Sequence, residues 1–231
     1  MHEFYYVKLA IHRIKGDIIR KGYKISKEIQ TILDKNPTDL TENEIKKLFS
    51  LAKEKEIDLF YFKKTGSLLP RVSKVIGILK SIYFESLLDI GSGRGAFLIP
   101  FLDMFPHISV SSMDILEERF IMLKDMEKGG LENFTASYSN ICDTMVKEKS
   151  VDVVTLLEVL EHIPQVEKAI ENAVRIAREY IIVSVPSKED DNEEHIHLLT
   201  KEKLTAYFEK CNITKISFDN VHGHLIAIVR I

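Results

Sequence analysis

Apolar and polar positions along the chain fall into two regimes that meet near residue 83. Before that point apolar residues recur every three or four positions: Tyr6, Leu9, Ala10 and Ile14, then Ile18, Ile25 and Ile29. This spacing predicts amphipathic helices, and residues 1–80 read as helix throughout. Asn36-Pro37 interrupts the pattern. Thr41-Glu42-Asn43-Glu44 then supplies the residues of a capping box, opening a helix that runs to about residue 55. Gly66-Ser67 breaks the pattern again, and a further helix is expected over 68–82.

From residue 86 onward, short apolar runs alternate with helical spacing. SLLDI (86–90), HISVSSMDI (107–115), NFTASYS (133–139), VDVVTLLEV (151–159) and EYIIVSVP (179–186) read as strands. Helices are expected between and after them at 96–105, 117–128, 166–178 and 200–210, the last with Thr200 as its N-cap. The fourth run is almost wholly apolar, as suits a strand covered on both faces. NITKISFDN (212–220) and HLIAIVRI (224–231) follow with no helix between them, so a hairpin turns near His222-Gly223-His224. The alternation predicts an α/β fold with a mostly parallel sheet, helices on both faces, and a final strand antiparallel to the rest. The chain thus divides into a helical segment, 1–82, and an α/β unit, 83–231.

Composition narrows the setting. Hydrophobic residues make up 45% of the 231 and charged residues 29%, which is ordinary for a globular protein. No apolar run approaches the roughly 20 residues that span a bilayer. The opening MHEFYYVKLAIHRIKGD scatters charges among its apolar positions and does not read as a secretion signal. Cys142 and Cys211 have no metal-binding spacing around them, so a reducing cytoplasmic location is expected. The net charge of −3 hides an asymmetry: 17 Lys+Arg against 10 Asp+Glu in residues 1–80, then 15 against 25 in 81–231. Solvated faces of lysine-rich helices account for the basic part, and steering of an anionic substrate is the alternative. Residues 60–72, FYFKKTGSLLPRV, set aromatics beside Lys63, Lys64 and Arg71. They read as anchoring a helix, with stacking of nucleic-acid bases as the alternative.

The first candidate for chemistry is LLDIGSGRGAFL (87–98). Three glycines, Gly91, Gly93 and Gly95, follow directly on a buried strand, where a turn needs one or two. A backbone without side chains there lets a ligand approach, at the carboxyl ends of the strands where such sheets bind ligands. Asp89 points toward the same crevice and suits a ligand with an ammonium group better than one with phosphates. The spacing G-x-G-x-G also departs from the dinucleotide fingerprint G-x-G-x-x-G. Asp114 ends the second strand about 20 residues later, where a carboxylate can accept hydrogen bonds from ribose hydroxyls or cap the following helix.

On these residues the segment 87–231 resembles the class I S-adenosylmethionine-dependent methyltransferases. The resemblance implies a Rossmann-like seven-stranded methyltransferase sheet with a C-terminal antiparallel hairpin, here preceded by an N-terminal helical cap. It implies that Asp89, Gly91, Ser92, Gly93 and Gly95 hold the methionine part of S-adenosyl-L-methionine, and that Asp114 and Ile115 hold the ribose. Asn140 stands where the family often has an adenine-binding aspartate, with Ile141 beside it, so amide and apolar contacts would serve instead. Leu157 and Glu158 fall beside the methyl donor.

A second cluster follows the fourth strand. Glu158, Glu161 and His162 are spaced for adjoining faces of one helical turn, and two carboxylates with an imidazole can ligate Mg²⁺ or Mn²⁺. EEHIHLLT adds His195 and His197 after the fifth strand. The run E-x-x-E-H followed by H-x-H-x-x-T is similar to metal-dependent methyltransferases acting on the 2′-hydroxyl at the 3′ end of small RNAs. That similarity implies a metal held by Glu158, Glu161, His162 and His195. Without a metal, His162 or His195 is the candidate general base, with Glu161 beside it. Residues 188–195 read as a solvated acidic loop. The expected activity is methyl transfer to an oxygen or nitrogen acceptor, a small molecule first and RNA ribose second. A cofactor-binding regulatory module without activity is the third reading.

Overall fold

The structure is a computed structural model that describes residues 6–65, 67–189 and 191–231. Helix α1 (Val7–Lys21) stops where Gly22 turns left-handed at φ 64° and its N–H bonds back to the carbonyl of Ile18. The helical spacing that runs from residue 6 to Ile29 is therefore two helices. Ser26 caps α2 (Lys27–Leu33) by accepting from the Ile29 amide, a start signal that the apolar period overrides when read alone. Asn36-Pro37 opens a 3₁₀ turn, Pro37–Asp39. The capping box of Thr41 and Glu44 forms at the head of α3 (Glu42–Glu54). Gly66 lies outside the described residues, and α4 (Pro70–Leu79) is shorter than the expected 68–82 because Pro70 sets its first turn.

Seven strands then form one sheet: β1 (Ser86–Ile90), β2 (Ser109–Asp114), β3 (Phe134–Tyr138), β4 (Val151–Leu157), β5 (Ala177–Pro186), β6 (Ile216–Val221) and β7 (His224–Arg230). Their order is β3-β2-β1-β4-β5-β7-β6. The first five pair in parallel, and β7 lies antiparallel to both β5 and β6. The expected fold class and its closing hairpin are what the sheet shows. Between the strands run α5 (Leu98–Met104), α6 (Glu117–Lys128), α7 (Val166–Ile176) and α8 (Lys201–Lys210). The expected helix 166–178 ends at Ile176, because Ala177 already pairs with Val151.

Alternating side chains of β1 divide the core. Leu87 packs with Phe97, Phe101, Leu123 and the α4 residues Val75, Ile76 and Leu79 on one face. Leu88 and Ile90 pack with Ile170, Ala173, Leu204 and Phe208 on the other. A third cluster, including Ile14, Ile18, Ile32 and Leu48, joins the first three helices. The strand order reverses between β1 and β4, so the crevice expected for ligands opens at their carboxyl ends.

Candidate active site

The glycine loop continues the β1 ladder for one bond, Gly91 N–H to the Met113 carbonyl at 2.7 Å, and then turns away. Gly91 and Gly95 sit at φ 66° and 77°, where L side chains are strained. A side chain would also crowd its neighbours there. A Cβ on Gly91 would come 2.6 Å from Val159 Cγ2, and one on Gly95 2.7 Å from Ile99 Cδ1. The two amides that flank the turn converge on Asp114: Gly93 N–H donates to Oδ2 and Leu116 N–H to Oδ1, both at 2.8 Å. Asp114 thus steadies the loop and the entry to α6 together, and it is 5% exposed at the wall of the crevice.

A cavity of about 580 Å³ lies over this arrangement, and its walls include Gly91, Gly93, Asp114, Ile115, Asn140, Ile141 and Glu158. Its volume falls in the range of small-molecule sites, roughly 300–1,000 Å³. Ile115 and Leu116 are 58% and 53% exposed on its rim, an unusual outlay of apolar surface beside a polar carboxylate. The Asn140 carbonyl accepts from the Cys142 amide at 2.9 Å, which leaves its NH₂ as the group with donors to offer. Asp89, Ser92 and Leu157 line a second cavity of about 50 Å³, which shares Gly91 with the first. Gly95 lines neither and lies back against α5.

Asp89 is 3% exposed, and the Thr155 hydroxyl donates to it at 2.6 Å. Burial pushes its carboxyl up to about 6; the bonds from Thr155 and Ser92 oppose that rise, and the nearby Asp114 charge adds to it.

Beyond β4 the chain does not make the single helical turn expected for Glu158, Glu161 and His162. Glu158 takes a left-handed φ of 58°, ends the strand, and sends its side chain away from the other two. The Ser184 hydroxyl donates to Glu158 Oε1 at 2.7 Å, and Arg71 Nε lies 4.0 Å from the same oxygen. His224 Nδ1 lies 3.0 Å from Oε2 but is not aligned for a hydrogen bond, so the contact is one of charge when the ring is protonated. Glu161, His162 and His195 do come together, with one ligand atom from each within 4.8 Å of the others. Leu160–His162 is a 3₁₀ turn, and the Ile196 amide bonds to the Glu161 carbonyl, which draws the segment after β5 against it. His162 Nδ1 lies 3.0 Å from the Glu194 carbonyl. With a proton on Nδ1 it donates there and leaves Nε2 directed elsewhere, the arrangement a metal-binding histidine uses. The donor set of one carboxylate and two imidazoles fits a divalent ion, with Glu158 outside it.

Arg94, Arg119, Ser184 and His224 border this region with no reading of their own in the sequence, and Arg71, read there only as one of the cations beside the aromatics of 60–72, joins them. Arg94 lies 5.5 Å over the Tyr61 ring, so the helical segment touches the glycine loop directly. No helix among the described residues is long and apolar enough to cross a membrane.

A family described as methyltransferase domain matches residues 20–218, beginning within α1 and well ahead of the residues that carry the resemblance in sequence. No curated protein matches the sequence. Solved structures share the fold at low identity. An S-adenosylmethionine-dependent methyltransferase from Aquifex aeolicus is 18% identical with a TM-score of 0.53, over 71% of this chain and 100% of that one. The methyltransferase domain of a bacterial protein, CtHen1, is 18% identical with a TM-score of 0.52, over 70% and 98%. Phosphoethanolamine N-methyltransferase 2 of Haemonchus contortus, solved with S-adenosyl-L-methionine, is 17% identical with a TM-score of 0.54, over 64% and 38%. With that family covering most of its length and this sheet order beneath it, the chain belongs to the class I S-adenosylmethionine-dependent methyltransferases.

Proposed function

We propose that the protein transfers the methyl group of S-adenosyl-L-methionine to an oxygen or nitrogen of a small-molecule acceptor. The observation that carries this is the cavity of about 580 Å³ at the switch between β1 and β4, walled by the glycine loop and the Asp114 carboxylate. Asp114 accepts from the ribose hydroxyls, Asn140 offers its NH₂ to the adenine, and Ile115 and Leu116 cover the ring. Asp89 faces the ammonium of the methionine tail. The cofactor brings an already activated methyl group, so the chain's task is to align an acceptor in line with it and exclude water. His162 or His195 takes the acceptor's proton where one must leave. The helical segment, 1–82, acts as a cap: α4 and the Tyr61–Arg94 contact close one side of the crevice.

A small acceptor is favoured over RNA by charge. Glu158 and Glu194 line the cavity itself, and Glu189, Asp191 and Glu193 lie in the neighbouring loop, which repels a polyanion. The Glu161–His162–His195 group favours the second reading, a metal-dependent ribose 2′-O-methyltransferase, in which Mg²⁺ or Mn²⁺ would lower the hydroxyl's pKa.

Purified protein given methyl-labelled cofactor and a fractionated cell extract, with Mn²⁺ and then with chelator, separates these. Label in small molecules regardless of metal is expected. Label in RNA that disappears with chelator would replace the first reading by the second. Tight cofactor binding with no label anywhere would leave a regulatory module.

The Asp89 assignment predicts a pH profile. Its folded-state carboxyl is raised to about 6, so this group's contribution to stability is greatest when it is protonated and declines as pH rises from about 4 through 6. Cofactor binding runs the other way, because the ammonium needs the carboxylate. Affinity for the cofactor is expected to rise about tenfold from pH 5 to pH 7.5, as the ionised fraction does. In Asp89→Asn the profile should flatten over that range. An unchanged slope in titration calorimetry would remove Asp89 from the ammonium site.

A further inference from the structure

The larger cavity has wall to spare once the cofactor is accounted for. Asp114, Ile115, Leu116 and Asn140 serve the nucleoside, which leaves Val159, His162, Ile163 and Glu194. Val159 lies against the glycine loop, where a Cβ on Gly91 would come 2.6 Å from its Cγ2. The remaining wall therefore starts beside the methyl donor and ends at His162.

Two isoleucines bracket the Glu161–His162–His195 group. Ile163 follows His162, and its amide bonds to the Leu160 carbonyl to close the 3₁₀ turn. Ile196 follows His195, and its amide bonds to the Glu161 carbonyl. The backbone bonds that shape this group thus set an apolar side chain next to each histidine. Ile163 is half-buried and Ile196 is 51% exposed. Scattered exposed isoleucines are ordinary on a surface. One fixed beside reactive polar groups at the lip of a cavity is a contact surface for an apolar ligand.

Charge narrows the ligand further. The arginines of the cavity wall are engaged on the glycine-loop side: Arg119 pairs with Glu118 at 3.0 Å, and Arg94 lies over the Tyr61 ring. Among the described residues, the other charged groups of that wall besides Asp114 are Glu158 and Glu194. A phosphate or carboxylate on the body of the acceptor would meet these acids. A sugar would press hydroxyls against the isoleucines without partners, which costs free energy.

We propose that the acceptor is an apolar-bodied molecule, a ring system or chain that lies on Val159, Ile163 and Ile196 and points its reacting hydroxyl or amine at His162 and His195. This deepens the small-molecule methyltransferase reading and rests on it. In the transfer, the lone pair of the acceptor oxygen or nitrogen forms the bond to the methyl carbon. The carbon–sulfur bond breaks, its electron pair stays on sulfur, and a proton that must leave passes to an imidazole. The apolar body holds the acceptor in line for that displacement.

The protein is incubated with methyl-labelled S-adenosyl-L-methionine and the small-molecule fraction of a cell extract. Products are then partitioned between ethyl acetate and a mildly alkaline buffer, in which the unreacted cofactor stays. Label is expected in the organic layer. Ile196→Ser and Ile163→Ser should each slow its appearance roughly five- to tenfold, as loss of part of one side chain's apolar burial implies. Both should bind S-adenosylhomocysteine within twofold of wild type in calorimetry, which shows that the fold and the cofactor site are intact. Ile196 is at the surface, so its variant keeps the test open if Ile163→Ser does not fold. Label only in water-soluble products other than the cofactor would overturn the proposal and leave small-molecule methyl transfer standing. Organic label that appears at the wild-type rate in folded variants would overturn it too. Label in no small molecule would remove the reading beneath it.

Discussion

Replacing Asp114 with alanine is expected to lower affinity for S-adenosyl-L-methionine by about a hundredfold. Hydrogen bonds to a charged acceptor are worth roughly 1.5–3 kcal/mol each, and a ribose diol makes two with one carboxylate. Two at the lower end amount to about two orders of magnitude. The same substitution frees the Gly93 and Leu116 amides, both bonded to Asp114 at 2.8 Å, so the loop loses its anchor as the ligand loses its acceptor. Asp114→Asn keeps one acceptor oxygen and should fall between the two. Calorimetry reads the effect directly. Wild-type affinity in the alanine variant would show that Asp114 serves only the loop.

Asp125→Ala is expected to cause the largest loss of stability. Helices α1 and α6 cross with their backbones in contact: a Cβ on Gly16 would fall 1.7 Å from the Asp125 carbonyl oxygen, and one on Gly129 1.9 Å from that of His12. Asp125 is fully buried at this crossing and takes hydrogen bonds from Arg13 and from Arg20, while Asp17 binds both arginines from the other side. Removing Asp125 leaves Asp17 to balance Arg13, Arg20 and Lys21 together, with Arg13 8% exposed. Breaking a buried pair in this way costs about 3–5 kcal/mol. For a chain of this length that corresponds to a fall in Tm of roughly 10 °C. The double change Arg13→Met with Asp125→Leu should be less damaging than Asp125→Ala, because no charge is then stranded. A drop of under 2 °C in the single variant would mean that water reaches the crossing and replaces the carboxylate.

The contrast between these residues shows how far the sequence carries. Asp89, the glycines and Asp114 are legible because each lies at or just beyond a strand end, and strand ends in a parallel sheet gather at one edge whatever the side-chain detail. Asp125 and Arg13 are not, since a carboxylate in a helix reads as solvated until another helix is known to cover it. The motif Glu158-Val159-Leu160-Glu161-His162 misleads for a local reason. Three- and four-residue spacings imply a shared face only if the backbone is helical, and the left-handed φ of Glu158 turns its carboxylate to Arg71, Ser184 and His224. Gly22 and Pro70 are where the first helix ends and the fourth begins, and the apolar period read across both without marking either.

By itself the sequence determined the sheet, its reversed last strand and the crevice for a cofactor, because hydrophobic period and glycine placement are local properties that dictate backbone form. Only the tertiary structure decided which side chains face that crevice from a distance. Arg71 reaches it from α4, Ser184 from β5 and His224 from β7, through crossovers whose lengths say nothing about side-chain direction. Their meeting is set by packing of α4 and the hairpin on the sheet, and packing has no signature in spacing.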